Sequence, residues 1–218
     1  MQLKNAKINF LGDSITEGCG TSGEHARFTN LIAEKYELAV MRNYGIGGTR
    51  FARQEKPLGD PRWELDFCQR ALEMDEDADA VVVFGGTNDF GHGSAPIGTP
   101  EDRTPYTFWG ACHTLMTELI ERYPGKPIVF LTPLHRLNED DPHGDIGKIP
   151  GAPLTEYIDI IKTVAAHYSL PVLDLFAVSG LQSRVPVIRE KFMPDGLHPN
   201  DAGHAILAER IGNFLASL

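Results

Sequence analysis

Short apolar runs alternate with amphipathic stretches along the whole chain. Five runs read as strands: Lys7 to Leu11, Ala39 to Tyr44, Ala80 to Phe84, Pro127 to Thr132, and Pro171 to Leu175. Two of them, Val81-Val82-Val83-Phe84 and Ile128-Val129-Phe130-Leu131, are apolar without a break. A strand with one wet face alternates, whereas an unbroken one is covered on both faces, as in a parallel sheet between helices. Helical periodicity fills the gaps, near 25–37, 62–74, 106–123, 154–168 and 201–217. The fourth is the cleanest, with Leu154, Tyr157, Ile158, Ile161, Val164, Ala165 and Tyr168 on one face. The last gathers Leu207, Ile211, Phe214 and Leu215, and Asn200 or Asp201 after Pro199 marks its start. The pattern predicts an α/β fold, a three-layer α/β/α sandwich with right-handed crossovers.

No repeat, linker or low-complexity tract interrupts the pattern. With 218 residues the chain is long enough for one sizeable core and short for two, so one domain over 1–218 is expected. Two predicted connections, Phe90 to Pro105 and Pro133 to Pro153, exceed the usual few residues. Each comes after the C-terminal end of a predicted strand, the end that carries ligand sites in open α/β sheets. Their polar content (His92, Asp102, Arg103, His135, Arg136, Asp140) predicts that they narrow a crevice there.

Candidate chemistry sits at the same end. Gly12-Asp13-Ser14-Ile15 comes directly after the first strand, and Asp195-Gly196-Leu197-His198 precedes the last helix. Serine is a weak nucleophile at its own pKa. An imidazole within hydrogen-bond reach takes its proton, and a carboxylate on the other ring nitrogen fixes the tautomer. Gly45-Ile46-Gly47-Gly48-Thr49 succeeds the second strand and lets backbone N–H groups approach a ligand. Gly86-Thr87-Asn88-Asp89 succeeds the third, and an Asn side-chain amide is a good oxyanion donor. Each segment alone is an ordinary turn or cap. Together, in this order, they predict one site.

These four blocks resemble those of the SGNH, or GDSL, hydrolases, and the match runs over nearly the whole chain. Gly12-Asp13-Ser14-Ile15-Thr16-Glu17-Gly18 looks like the first block, and Asn43-Tyr44-Gly45-Ile46-Gly47-Gly48 the second. Gly86-Thr87-Asn88-Asp89 is similar to the third, and Asp195-Gly196-Leu197-His198-Pro199 to the fifth. The resemblance implies a flavodoxin-like sandwich with a five-stranded parallel sheet. It also implies ester or thioester hydrolysis through an acyl-serine, with neither metal nor cofactor. Carried over, Ser14 is the nucleophile, His198 the base and then the acid, and Asp195 orients His198. The N–H groups of Ser14 and Gly48 and the Asn88 amide form the oxyanion hole. Three glycines crowd the second block, so Gly47 is the alternative to Gly48. Asp13 reads as structural.

Composition trims the partners. A net charge of −10 disfavours nucleic acid and anionic membrane surfaces. No run has the length of a membrane span, and the first seven residues hold no signal-peptide stretch. Three cysteines, Cys19, Cys68 and Cys112, show no CxxC pattern and fit a reducing cytoplasm. None of the histidines outside the site has ligand spacing, and no metal is expected. Cys19 is expected to pack rather than act as a second nucleophile, and Phe108 and Trp109 to pack rather than form a sugar platform. Glu139-Asp140-Asp141 is expected to be solvated loop, as is His135-Arg136 unless it touches substrate or a carboxylate. The expected partner is a small-molecule ester, with acetyl on a carbohydrate as the first reading. A lysophospholipase or thioesterase is the second. A non-catalytic binding module on the same fold is the alternative of another class.

Overall fold

The unbroken apolar strands are buried on both faces. The computed structural model describes residues 1–55, 60–146 and 151–218. Its strands are β1 (Lys7–Gly12), β2 (Val40–Gly45), β3 (Ala80–Phe84), β4 (Ile128–Leu131) and β5 (Val172–Leu173). Its α-helices are α1 (Ser14–Glu17), α2 (Phe28–Lys35), α3 (Phe67–Ala71), α4 (Thr87–Gly91), α5 (Phe108–Arg122), α6 (Leu154–His167), α7 (Leu175–Val178), α8 (Pro186–Phe192) and α9 (Asp201–Ser217). The strands form one sheet in the order β2-β1-β3-β4-β5, every pair parallel. That is the flavodoxin-like order, which reverses between β1 and β3.

Strand side chains divide by parity between two apolar layers. Leu11, Val81, Val83, Ile128 and Phe130 join Phe67, Phe108 and Tyr157 beneath α3, α5 and α6. Ile8, Phe10, Val82, Phe84, Val129 and Leu131 join Phe28, Ile32, Leu207 and Ile211 beneath α2 and α9. The helix face read from Leu154 to Ala165 is buried, and Asn200 caps α9 by accepting from the Gly203 N–H at 3.1 Å.

Departures from the sequence reading have local causes. The expected helix 62–74 divides into a 3-10 turn, Pro61–Glu64, and α3, because the Asp66 carboxylate caps a new helix at the Gln69 N–H. Likewise α2 starts at Phe28, behind a 3-10 turn at Glu24–Ala26. β5 stops at Leu173 because Asp174 turns to cap α7. Of the second long loop, expected over 133–153, residues 147–150 lie outside the described residues. Among the described residues no helix is long and apolar enough to cross a membrane.

The register carries the fold to the site. Gly12 lies opposite Gly45 on one side and Phe84 on the other, so β1, β2 and β3 end level. The chain leaves all three strands from a single rim.

Candidate active site

Ser14 is held by a capped turn. The Asp13 carboxylate accepts the Ile15 N–H at 3.0 Å and starts α1 directly after β1. Ser14 therefore takes the first helical position, where a helix leaves its N–H without an intrahelical partner. α1 lies hard against the end of β2: a Cβ on Gly45 would fall 2.1 Å from the Glu17 backbone nitrogen. Burial pushes the Asp13 carboxyl up to about 6, against the Ile15 bond and the nearby charges of His198 and Arg70.

The second block shares its N–H groups unequally. Gly47 donates to Glu17 Oε2 at 2.7 Å, and Arg62 donates to Glu17 Oε1 at 2.7 Å. The Gly48 N–H bonds to no described residue. Gly48 has φ +78°, and a Cβ there would meet the Trp63 ring at 2.3 Å, so the position demands glycine twice over.

Asn88 comes from α4, on the third strand end. Its Nδ2 donates to the Thr49 carbonyl at 3.0 Å. The neighbouring Asp89 carboxylate accepts the N–H groups of Phe51 and Ala52, each at 2.9 Å, and fastens the post-β2 loop to α4. Arg70, from α3, donates to Thr49 Oγ1 at 2.7 Å, to the Gly12 carbonyl at 3.1 Å and to the Tyr44 carbonyl. Burial lowers the Arg70 guanidinium to about 10. Its three acceptors lie on the ends of β1 and β2 and in the loop beyond.

The Asp195–His198 turn organises itself. Asp195 Oδ1 accepts the N–H groups of Leu197 at 2.9 Å and His198 at 2.7 Å. Oδ2 lies 2.7 Å from His198 Nδ1. A carboxylate only accepts, so Nδ1 carries the hydrogen and Nε2 presents its lone pair. Ser14 Oγ lies 2.9 Å from that Nε2. Burial alone would raise the Asp195 pKa, but the bonds from the His198 ring and from the two backbone N–H groups hold it below the usual carboxylate value.

Ser14, Gly48, Asn88 and His198 line one crevice of about 330 Å³. The donors and the Ser–His pair can serve acyl transfer, with negative charge developing beside N–H groups. Among the described residues, the long loops contribute less to its walls than their polarity suggested. His92 comes from the first and Asp145 from the second, whereas Asp102, Arg103, His135, Arg136 and Asp140 do not line it. Asp102 closes its own loop, accepting from Thr99 N at 3.0 Å and Thr107 Oγ1 at 2.8 Å. Asp140 pairs with Arg184 at 2.7 Å.

Arg136 and Glu139, in segments expected to be solvated, face inward instead, whereas Asp140 and Asp141 are exposed as expected. Arg136 is buried and grips both Asp145 oxygens, at 2.8 and 2.6 Å. Glu139 is buried where it accepts the Arg136 N–H and meets the His135 ring at 3.0 Å. Cys19, expected to be packed, is exposed and lines the crevice. Phe108 is in the core, with Trp109 packed against it.

The remaining wall went unread in the sequence. Arg62 and Trp63 line the crevice from the 3-10 turn, where periodicity suggested only the start of a helix. Asp60-Pro61, a cap before a proline, was the signal for a separate turn there. Arg70 left no such signal, since an arginine in a helix reads as solvated.

A model of the GDSL-like lipase/acylhydrolase family matches residues 10–206. One solved structure is 32% identical to this chain, with TM-score 0.86, covering 100% of this chain and 99% of that one. A protein from Lactobacillus plantarum is 28% identical with TM-score 0.83, covering 98% of each. The native aryl esterase of M. smegmatis is 19% identical with TM-score 0.68, covering 98% of this chain and 99% of that one, a likeness of fold. No curated protein matches the sequence.

Proposed function

Because the chain belongs to the GDSL-like lipase/acylhydrolase family, we propose that it is a serine esterase cleaving a small-acyl ester, foremost acetyl, with an O-acetylated carbohydrate as the leading substrate. The observation that carries this reading is the unbroken line of hydrogen bonds from Asp195 through His198 to Ser14. Ser14 Oγ attacks the carbonyl carbon while His198 Nε2 takes its proton. The oxyanion is met by the N–H groups of Ser14 and Gly48 and by Asn88 Nδ2. Gly48 is favoured over Gly47 because the Gly47 N–H is already given to Glu17. His198 then protonates the leaving alcohol. Water, activated by the same imidazole, releases the acid from the acyl-serine. Asp195 holds the ring in the tautomer that both steps need, and neither step requires a metal or cofactor.

The modest size of the crevice, about 330 Å³, supports a short acyl group, and its charged side chains support a polar alcohol half. Glu17, Arg62, His92 and Asp145 stand around Ser14, while the larger share of the open wall is apolar, with Trp63 and Leu197 contributing to it. We assign residues 1–218 to one domain. The cytoplasm is the compartment that suits three unpaired cysteines.

A series of p-nitrophenyl esters from acetyl to palmitoyl tests the reading. kcat/KM falls from acetyl through hexanoyl, and activity survives chelator. A steady climb past octanoyl would replace the carbohydrate-esterase reading with a lysophospholipase or thioesterase. No turnover of any ester would favour a binding module.

A further inference from the structure

Arg50 heads the largest buried side chains among the described residues, at 1% exposure, and the acyl-transfer steps give it nothing to do. One of its nitrogens donates to the Trp63 carbonyl. Another, Nη1, lies 3.4 Å from His92 Nδ1. His92 Nε2 lies 3.1 Å from Asn88 Oδ1, and Asn88 Nδ2 lies 3.0 Å from the Thr49 carbonyl. The His92 ring also packs against Trp63, with ring centroids 4.9 Å apart.

Both ends of this line are chemically fixed. A backbone carbonyl can only accept, so the Asn88 atom facing Thr49 is the amide nitrogen. Oδ1 therefore faces His92, and His92 must donate through Nε2–H. A guanidinium can only donate, so His92 Nδ1 must be bare. The two requirements select one tautomer of one neutral ring. They also leave Asn88 with a single unassigned N–H, on a side chain that lines the crevice beside Ser14 and Gly48.

We propose that His92 is a positioning residue for the oxyanion hole: held by Arg50 and Trp63, it donates to Asn88 Oδ1 and aims the remaining Asn88 N–H at the oxyanion. This rests on the reading of Asn88 as an oxyanion donor. A preorganised donor acts in the transition state more than in the ground state. The effect of His92 thus lies in kcat rather than KM.

The test uses p-nitrophenyl acetate and the full chain. H92F keeps a ring against Trp63 but has no donor, and H92L is a second donor-free variant if the phenyl ring lowers the melting temperature. H92Q restores a donor. Donor-free variants lower kcat by roughly tenfold or more, short of the about 10²–10³ of N88A, with KM unchanged. H92Q recovers most of that loss. In an N88A background H92F or H92L adds less than about threefold, since its effect runs through the missing amide. Wild-type kcat in a folded donor-free variant overturns the proposal, and so does a full multiplicative loss on top of N88A. S14A separates the two levels. If S14A keeps its activity, the serine-esterase reading itself falls. If S14A is dead while H92F equals wild type, only the role of His92 falls.

Discussion

Ser14, Gly48 and Asn88 stand on the ends of three adjacent strands, over a frame of buried polar side chains: Asp13, Arg50, Arg70 and Asp89. Asp195 and His198 stand on an exposed turn, where the Asp195 side chain is 56% exposed and His198 23%. The first group owes its geometry to long-range contacts, such as Arg70 reaching the Gly12 and Tyr44 carbonyls. The second owes its geometry to itself, because Asp195 bonds the two backbone N–H groups just ahead of it in the chain. Under the proposed mechanism, the contrast reflects what each group is asked to do. Oxyanion donors must be fixed before charge develops, since moving them during the reaction forfeits their advantage. An imidazole that passes a proton twice needs only the right tautomer and reach.

The largest effects test whether the two halves act as a unit. Ser14→Ala and His198→Ala each lower kcat by about 10⁴–10⁶, and the double variant is no worse than either. Asp195→Ala loses about ten- to a hundredfold less, because water can take the Nδ1–H at so open a site. Steady-state kinetics decide, and a loss from Asp195→Ala equal to that from Ser14→Ala would erase the distinction between frame and turn.

Stability sharpens the same contrast. Arg70→Met strands the Thr49, Gly12 and Tyr44 acceptors and lowers unfolding free energy by about 3–5 kcal/mol. Asp195→Ala changes it by less than about 1 kcal/mol. Urea titrations of the two variants should therefore differ plainly in midpoint. Equal midpoints would mean that the buried frame contributes no more than the exposed turn.

A smaller, pH-dependent effect concerns the helix behind the turn. His204 on α9 is buried, accepts the Phe28 N–H at Nδ1 (3.1 Å) and stacks on the Phe28 ring. Burial lowers its pKa to about 4. The unfolded chain gains a proton at this site near pH 6.5. Between these values the unfolded state binds more protons, so the His204 contribution falls as pH drops through that window, by about 3 kcal/mol in all. Comparing wild type with His204→Gln at pH 7 and pH 4.5 isolates it, since the other titrating groups cancel. Parallel stability curves for the two proteins would contradict it.

Legibility in the sequence divides along the same line as the molecule. Unbroken runs such as Val81 to Phe84 announced buried parallel strands, and Leu154 to Ala165 announced their helix, because burial on one or two faces leaves a period. Gly12-Asp13-Ser14 and Asp195-Gly196-Leu197-His198 were legible because each carries its chemistry within four residues. The frame was not. Nothing near Arg50 or Arg70 in the chain says that distant carbonyls will meet them. His135, Arg136 and Glu139 likewise read as solvated until the fold brings Asp145 and Thr87 to Arg136. α1 and α4 span four and five residues, too few to show a period.

Under the proposed function, the level ending of β1, β2 and β3 makes an ester substrate a gauge of topology as well as of chemistry. Sliding β2 by one residue against β1 would carry Gly48 about 3.3 Å away from Ser14 and turn the side chains of β2 to the opposite layer. A chain paired in that register could be collapsed, helical and hydrogen-bonded, and still have no hole for an oxyanion. Turnover regained after refolding therefore counts only molecules in which Gly12 has found both Gly45 and Phe84.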